Sequence, residues 1–502
     1  MPPSRRTVLA SLTAAIATTT IAWAPHAAAG PAPDPHAVRI ENGLREPVAV
    51  RGAPARTMRL ADRMRDLHVP GVSIAFIDHG RIAWTQAYGV ADVRTGRAVT
   101  PATPFQVASL SKPVAAVVAM RLAARGAVDL DEDVNRRLRT WRVPDNAFTA
   151  QHPVTPRALL SHTAGMPDAD LAGYTATPYP TLAQVLAGAP PATTPKVEVQ
   201  AVPGSRYAYS GLGYGVLQQY LVDATGRPFD ALARDTVLAP LGMRDTSFAV
   251  DLPPPLAARA AVGHALDGTA LPAGWHRYPT QAAAGLWATA ADLARFAIAV
   301  GNAAEGHAAQ GHGGAFLTRA QARALLTPVL DDYGLGFELD HAGREPAFHH
   351  SGSNAGYKAQ LWAYPHTGQG VVILTNGDYG STLIAELMRA VAAEYGWEDW
   401  RPVERAATPA EPALFDRFTG SYAVSNVTLR VTRQGDRLYL AGPPLGPDPV
   451  ELIPAGPYDY FVREKDVTLH FDGDAAGDAG APVQTLTFVD GRPRAGRRTA
   501  AP

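Results

Sequence analysis

The chain has 502 residues, of which 46% are hydrophobic, and its 45 Lys and Arg against 46 Asp and Glu leave a formal net charge of −1 at pH 7. That length is enough for a large core plus an appended module, and the balanced charge excludes capture of nucleic acid by a basic surface field. There is no cysteine, which excludes disulfides, thiolate catalysis and zinc–thiolate sites.

The first 29 residues read as a cleaved export signal. They hold the basic pair Arg5-Arg6, a weakly apolar run from Val8 to Ala24, and the small residues Ala27-Ala28-Ala29. Ser4-Arg5-Arg6-Thr7-Val8-Leu9 resembles a twin-arginine signal. A mature protein starting near Gly30, periplasmic or extracellular, is expected. No later run reaches the ~18 uninterrupted apolar residues of a membrane helix. Residues 30–54 form a Pro-rich lead.

From residue 56 the elements follow in order. Met58, Leu60, Met64 and Leu67 recur at helical spacing. Val72, Ile74 and Phe76 then alternate, Asp78-His79-Gly80 supplies a turn, and Ile82 and Trp84 resume the alternation, which predicts a β-hairpin. From Pro113 a helix is expected, with Val114, Val117, Val118 and Leu122 on one stripe and Gly126 at its end. Helical pieces follow at TPRALLSH and GYGVLQQYLVDATG. In LWATAADLARFAIAVGN, Thr289 is placed to cap a helix that turns Leu293, Phe296 and Ala297 inward. KAQLWAYP and QGVVILTNG read as strands, and STLIAELMRAVAAEYG as a helix. Strands from both ends of residues 55–400 can form one antiparallel sheet flanked by helices, with a helical subdomain beside it: an α/β (α+β) architecture. Residues 401–413 read as a linker. Short alternating runs with Gly and Asp turns over 414–502 predict an antiparallel β-barrel or sandwich.

Chemistry concentrates at Ser109-Leu110-Ser111-Lys112. Lysine is rare here, occurring only at 112, 196, 358 and 465. Residues three apart share a helix face. Unlike arginine, a lysine pushed neutral by burial can take a proton from a serine hydroxyl, making a nucleophile–base pair. Alone, the tetrapeptide is a weak signal and reads more readily as a capping serine and a surface lysine. No Gly-x-Ser-x-Gly elbow competes for the nucleophile. Gly211-x-Gly213-x-Gly215 lacks the strand context of a phosphate loop. His307 and His312 sit in a Gly-rich stretch without a carboxylate or third ligand, so they read as a solvated loop and no metal is expected.

Four segments in order carry a resemblance. The hairpin and nucleophile stretch 71–112 is followed by LLSHTAGMP (159–167), YAYSGLGYGVL (207–217) and HHSGSNAGY (349–357). They resemble the serine β-lactamase-like, penicillin-binding-protein-like superfamily: class C β-lactamases, DD-peptidases, D-aminopeptidases and esterases. The resemblance implies a serine hydrolase working without cofactor on a small-molecule or peptide substrate (an amide, ester or β-lactam). It implies Ser109 as nucleophile, Lys112 as first proton acceptor, and Tyr209 as proton relay, its pKa lowered between two cations. His350, Ser351 and Gly352 would line the opposite wall, with His350 tuning or binding the anionic end of a substrate. The backbone N–H groups of Ser109 and Ser353 would form the oxyanion hole. Adjacent histidines on a strand face opposite ways, so only one of His349 and His350 enters the pocket, and the motif's register selects His350.

Two departures bear on substrate. Gly211 stands where these proteins carry an asparagine that contacts a substrate amide, and His350 stands where many carry lysine. Both point to peptidase, amidase or esterase members rather than a dedicated β-lactamase. The second reading is a catalytically weak penicillin-binding or sensing protein using the same pocket. A barrel loop, 472–482, is expected as a candidate lid.

Overall fold

The structure is a computed structural model and describes residues 34–307, 316–443, 445–446, 448–473 and 481–499. Residues 1–29, read as an export signal, together with His312 and most of the 472–482 loop, lie outside the described residues. No helix among the described residues is long and apolar enough to cross a membrane.

The N-terminal segment carries α1 (Pro35–Glu41), β1 (Val48–Val50) and α2 (Leu60–Asp66). The hairpin of β2 (Gly71–Asp78) and β3 (Arg81–Asp92) follows, then β4 (Arg97–Ala98). Strands from the far end of the chain complete the sheet: β7 (Glu338–Asp340), β8 (Ala347–Asn354), β9 (Tyr357–Tyr364) and β10 (Gln369–Thr375). The seven strands run in the order β4-β3-β2-β10-β9-β8-β7, and every pairing is antiparallel. The ends of the chain meet where β2 pairs with β10, Ile74 opposite Ile373.

Alternation along β2 builds two cores. Ile74 and Phe76 join α1, α2 and the helix Gly380–Tyr395 on one face. Ala75 and Ile77 join the other face, which holds α3 (Ser111–Ala124), α6 (Gly211–Thr225) and the helix Ala290–Glu305. Between β5 (Phe105–Gln106) and β6 (Trp287–Ala288), which pair with each other, runs the helical subdomain, including α4 (Pro156–Leu160) and α5 (Leu182–Ala187). Its pattern differs from the expected single stripe: every α3 residue from Ser111 to Met120 is buried. The helix is enclosed on all sides, so Ala and Val fill its whole circumference and no polar face is needed. Thr289 caps the helix Ala290–Glu305 by accepting from Asp292 N–H, and Leu293, Phe296 and Ala297 are buried as their spacing requires.

The C-terminal strands between Gly420 and Thr499 form a closed eight-stranded antiparallel barrel. Leu429, Val431, Leu438, Leu440, Leu486 and Phe488 fill its interior, and Phe418 stacks on Phe471 with centroids 4.4 Å apart. Closure removes the free edges that an open meander would expose. The stretch read as a linker contains a strand, β11 (Val403–Arg405), which pairs in parallel with β1. Val48 packs with Ile453 and Phe461 of the barrel, and Lys465 Nζ donates to Thr382 Oγ1 at 3.3 Å. These described barrel contacts lie on the α1, α2 and Gly380–Tyr395 side of the sheet, away from α3.

Candidate active site

The pairing of β5 with β6 delivers the chain into a tight turn ahead of α3. Leu110 N–H donates to Val107 O, and Ser111 N–H to Ala108 O. Ala108 has φ +49°, a left-handed conformation that non-glycine residues rarely adopt and that the surrounding turn must hold. Ser111 Oγ braces it, donating to Ala108 O at 2.6 Å and accepting from Leu286 N–H at 2.9 Å. Ser109 sits in this turn, two residues ahead of the helix, and Lys112 is in its first turn.

Lys112 is 1% exposed. Its Nζ lies 2.9 Å from Ser109 Oγ and donates to Ala283 O at 2.8 Å. Burial brings its pKa down to about 7, against the opposing pull of Glu338 and Asp168. A neutral amine is therefore available near pH 7. Tyr209 precedes α6, whose cap is Ser210: its Oγ accepts from Gly213 N–H and donates to Pro167 O. The Tyr209 hydroxyl donates to Ser109 Oγ at 2.9 Å. Its pKa is raised, chiefly by burial, and this corrects the expectation of a lowered value. That expectation needed two flanking cations. Lys112 has lost much of its charge and His350 is neutral, so Tyr209 remains a phenol.

Strand β8 forms the opposite wall. A Cβ on Gly352 would lie 2.2 Å from Val107 O, so only glycine lets this strand pass against the nucleophile turn. Alternation turns His350 to the same face as Gly352 and turns His349 away, stacked on Trp362 at 4.3 Å. His350 is 1% exposed. Its Nδ1 donates to Ser351 O at 2.7 Å, and its Nε2 accepts from the Tyr333 hydroxyl at 3.3 Å. Burial lowers its pKa to about 4. This neutral ring, with both nitrogens engaged, offers no positive charge to a substrate's anionic end. Ser351, read as a pocket residue, is exposed on β8, and its carbonyl accepts from His350 Nδ1. Ser353 is opposite Lys358 in the β8–β9 ladder, on the same side as Ser351.

Residues 58–394 match the Beta-lactamase family. The chain belongs to that family. It is 29% identical over 362 residues to penicillin-binding protein 4 of Amycolatopsis lactamdurans, covering 70% of this chain and 91% of that protein. It is 33% identical over 201 residues to the esterase EstB of Burkholderia gladioli, covering 37% of this chain and 48% of the esterase. An octameric penicillin-binding protein homologue from Pyrococcus abyssi superposes with a TM-score of 0.59 at 20% identity, over 87% of this chain and 98% of that one, and so shares the fold. This β-lactamase-family chain is a serine hydrolase.

Within the family site, Gly211 opens α6, and a Cβ built on it would lie 2.7 Å from Leu171 Cδ1. Leu171 thus takes the space next to position 211. Because the atom in the way is the terminal methyl of the half-buried Leu171, we expect Gly211→Asn alone to lose no more than about 1 kcal/mol. Gly211→Asn with Leu171→Ala should recover that stability and raise the ratio of amide to ester hydrolysis, compared as kcat/KM. An unchanged ratio in a folded double variant would remove position 211 from substrate selection.

Sequence reasoning missed Leu171, Tyr333, Glu338 and His162. Glu338 pairs with His349 in the β7–β8 ladder, its carboxylate 3.1 Å from His349 Nδ1 and 3.8 Å from His350 Nδ1. Burial pushes the Glu338 pKa up, but the hydrogen bond to His349 together with the nearby His350, His349 and Lys112 outweighs it and leaves the carboxyl below its ordinary value. None of the four carries a local signal except His162, which lies inside LLSHTAGMP.

Proposed function

We propose that this enzyme cleaves an ester, amide or peptide bond through an acyl-enzyme on Ser109. The observation that carries the reading is the Ser109 hydroxyl held 2.9 Å from both Lys112 Nζ and the Tyr209 hydroxyl. Neutral Lys112 takes the Ser109 proton as Oγ bonds to the acyl carbon, and the carbonyl oxygen becomes the tetrahedral oxyanion. The backbone N–H groups of Ser109 and Ser353 are the proposed donors to it, supported by the close passage of Gly352 against the nucleophile turn. The oxyanion collapses, the bond to the leaving oxygen or nitrogen breaks, and that atom receives the proton from Lys112 by way of Tyr209. Water then attacks the acyl carbon and gives its proton back through the same pair, releasing the acid and free Ser109.

Charge supports a choice among acyl donors. The charged groups bearing on Lys112 are Glu338 and Asp168. Burial, then Glu338, Asp331 and Asp168, push Tyr207 up to about 12. With His350 neutral, this surround favours a neutral or cationic acyl group over one bearing a carboxylate. The test is a set of chromogenic esters and amides with acetyl, aminoacyl and succinyl groups, run beside a labelled penicillin. Neutral or cationic donors should exceed the succinyl ones by about 10-fold or more in kcat/KM. Preference for succinyl donors, or persistent penicillin labelling without turnover, would overturn the proposal.

The pH dependence follows from Lys112. Its neutral form is the base, so kcat/KM should rise with pH through about 7 and level off above. Glu338 raises the Lys112 pKa, so Glu338→Gln should move that limb to lower pH, as read from the pH–rate profile. A limb that stays in place or moves up would separate Glu338 from the base.

A further inference from the structure

His162 follows α4 and is 2% exposed, with φ +56°. Its carbonyl accepts from Ala208 N–H at 2.8 Å, and its Nδ1 accepts from Ser210 N–H at 3.0 Å. Those two amides flank Tyr209 on either side. The imidazole also lies against the Tyr209 ring, centroids 4.3 Å apart, and edge-on to Tyr333 at 4.8 Å. Because Nδ1 accepts, the proton of the neutral ring is on Nε2, and Nε2 is buried without a hydrogen-bond partner.

A histidine here breaks two local rules at once, a left-handed backbone and an orphaned buried donor. The fold does not need its side chain to join the two segments. Backbone bonds from Gly204 N–H to Thr163 O and from Gln200 N–H to Gly165 O already do so. What the imidazole adds is an acceptor for Ser210 and a flat surface against Tyr209. Burial, and then the nearby Lys112, hold its pKa well below the ordinary value, so Nδ1 stays available as an acceptor.

We infer that His162 is a positioning residue that clamps the backbone on both sides of Tyr209 and braces its ring, holding the phenol at reaction distance from Ser109 Oγ. The inference rests on the reading of Ser109 as the acylated nucleophile. His162→Gly and His162→Asn test it, since both residues accept a positive φ but only Asn keeps an acceptor at the Nδ1 position. With a chromogenic ester and the full chain, His162→Gly should lower kcat about 10- to 100-fold with KM within about 2-fold, the scale of a small misplacement of a reacting group. His162→Asn should recover most of that loss. In a Tyr209→Phe background His162→Gly should cost less than about 2- to 3-fold more, because its effect passes through the missing hydroxyl.

Wild-type kcat in a folded His162→Gly protein, or the full loss persisting beside Tyr209→Phe, overturns the clamp. If His162→Gly does not fold, nitrogen NMR of the wild-type imidazole decides. Unprotonated Nδ1 with protonated Nε2 between about pH 6 and 9 supports it, whereas an Nδ1–H tautomer or an imidazolium overturns it, since neither accepts from Ser210. That readout does not depend on turnover. Absent phosphonate labelling of the wild type would instead count against Ser109.

Discussion

Ser109→Ala is expected to abolish ester turnover and covalent labelling by a serine-directed phosphonate while leaving the fold in place. The loss in kcat should reach about 10⁴-fold or more, an added barrier of about 5–6 kcal/mol, because no other group supplies the bond to the acyl carbon. Ser109 is only partly buried, in a turn held by Ser111 rather than by its own hydroxyl. Removing Oγ leaves Lys112 bonded to Ala283 O, so stability should change by no more than about 1–2 kcal/mol. Circular dichroism and Tm check the fold, and residual rate and labelling check the chemistry. Undiminished turnover in the folded variant would end the acyl-enzyme proposal.

Lys112 carries the second large effect, and two substitutions separate its roles. Lys112→Arg keeps a cation but cannot supply a neutral base, and it buries a charge without a carboxylate partner. Turnover should fall about 10³-fold or more, and the protein should lose about 3–5 kcal/mol of stability. Lys112→Met fills a similar volume without burying a charge. It should lose turnover to the same extent but remain folded, which assigns the loss to chemistry. The wild-type lysine has its folded pKa depressed to about 7 from the ordinary lysine value of 10.5. Between those values the unfolded chain binds the proton that the folded chain sheds, so this group makes stability rise with pH across that window. Lys112→Met should lack that component in denaturant titrations from about pH 7 to 10. Full activity in either variant would show that another group takes the proton.

The helix α2, the hairpin, the two late strands and the helix Ala290–Glu305 were legible because their signals are local. Period-2 and period-3.6 spacing, a turn tripeptide at Asp78-His79-Gly80 and a cap at Thr289 each act over a few residues. The helix α3 was legible as a helix but not as an enclosed one, because what surrounds it comes from segments more than 100 residues away, among them the helix at Gln281–Ala284. The linker reading missed β11 for the same reason: its partner, β1, is more than 350 residues earlier.

By itself the sequence determined the nucleophile candidate and its base, since Ser109 and Lys112 are three residues apart and need only a turn to meet. It also placed Tyr209, the His350 register and the family in order along the chain. Only the tertiary structure decided protonation and charge. A pKa depends on how much water a group loses and on which charges approach it, and neither is written in neighbouring residues. Burial makes Lys112 a base, keeps Tyr209 a phenol and leaves His350 neutral. Long-range packing then sets Leu171 beside Gly211 and His162 around Tyr209, joining segments that no periodicity connects.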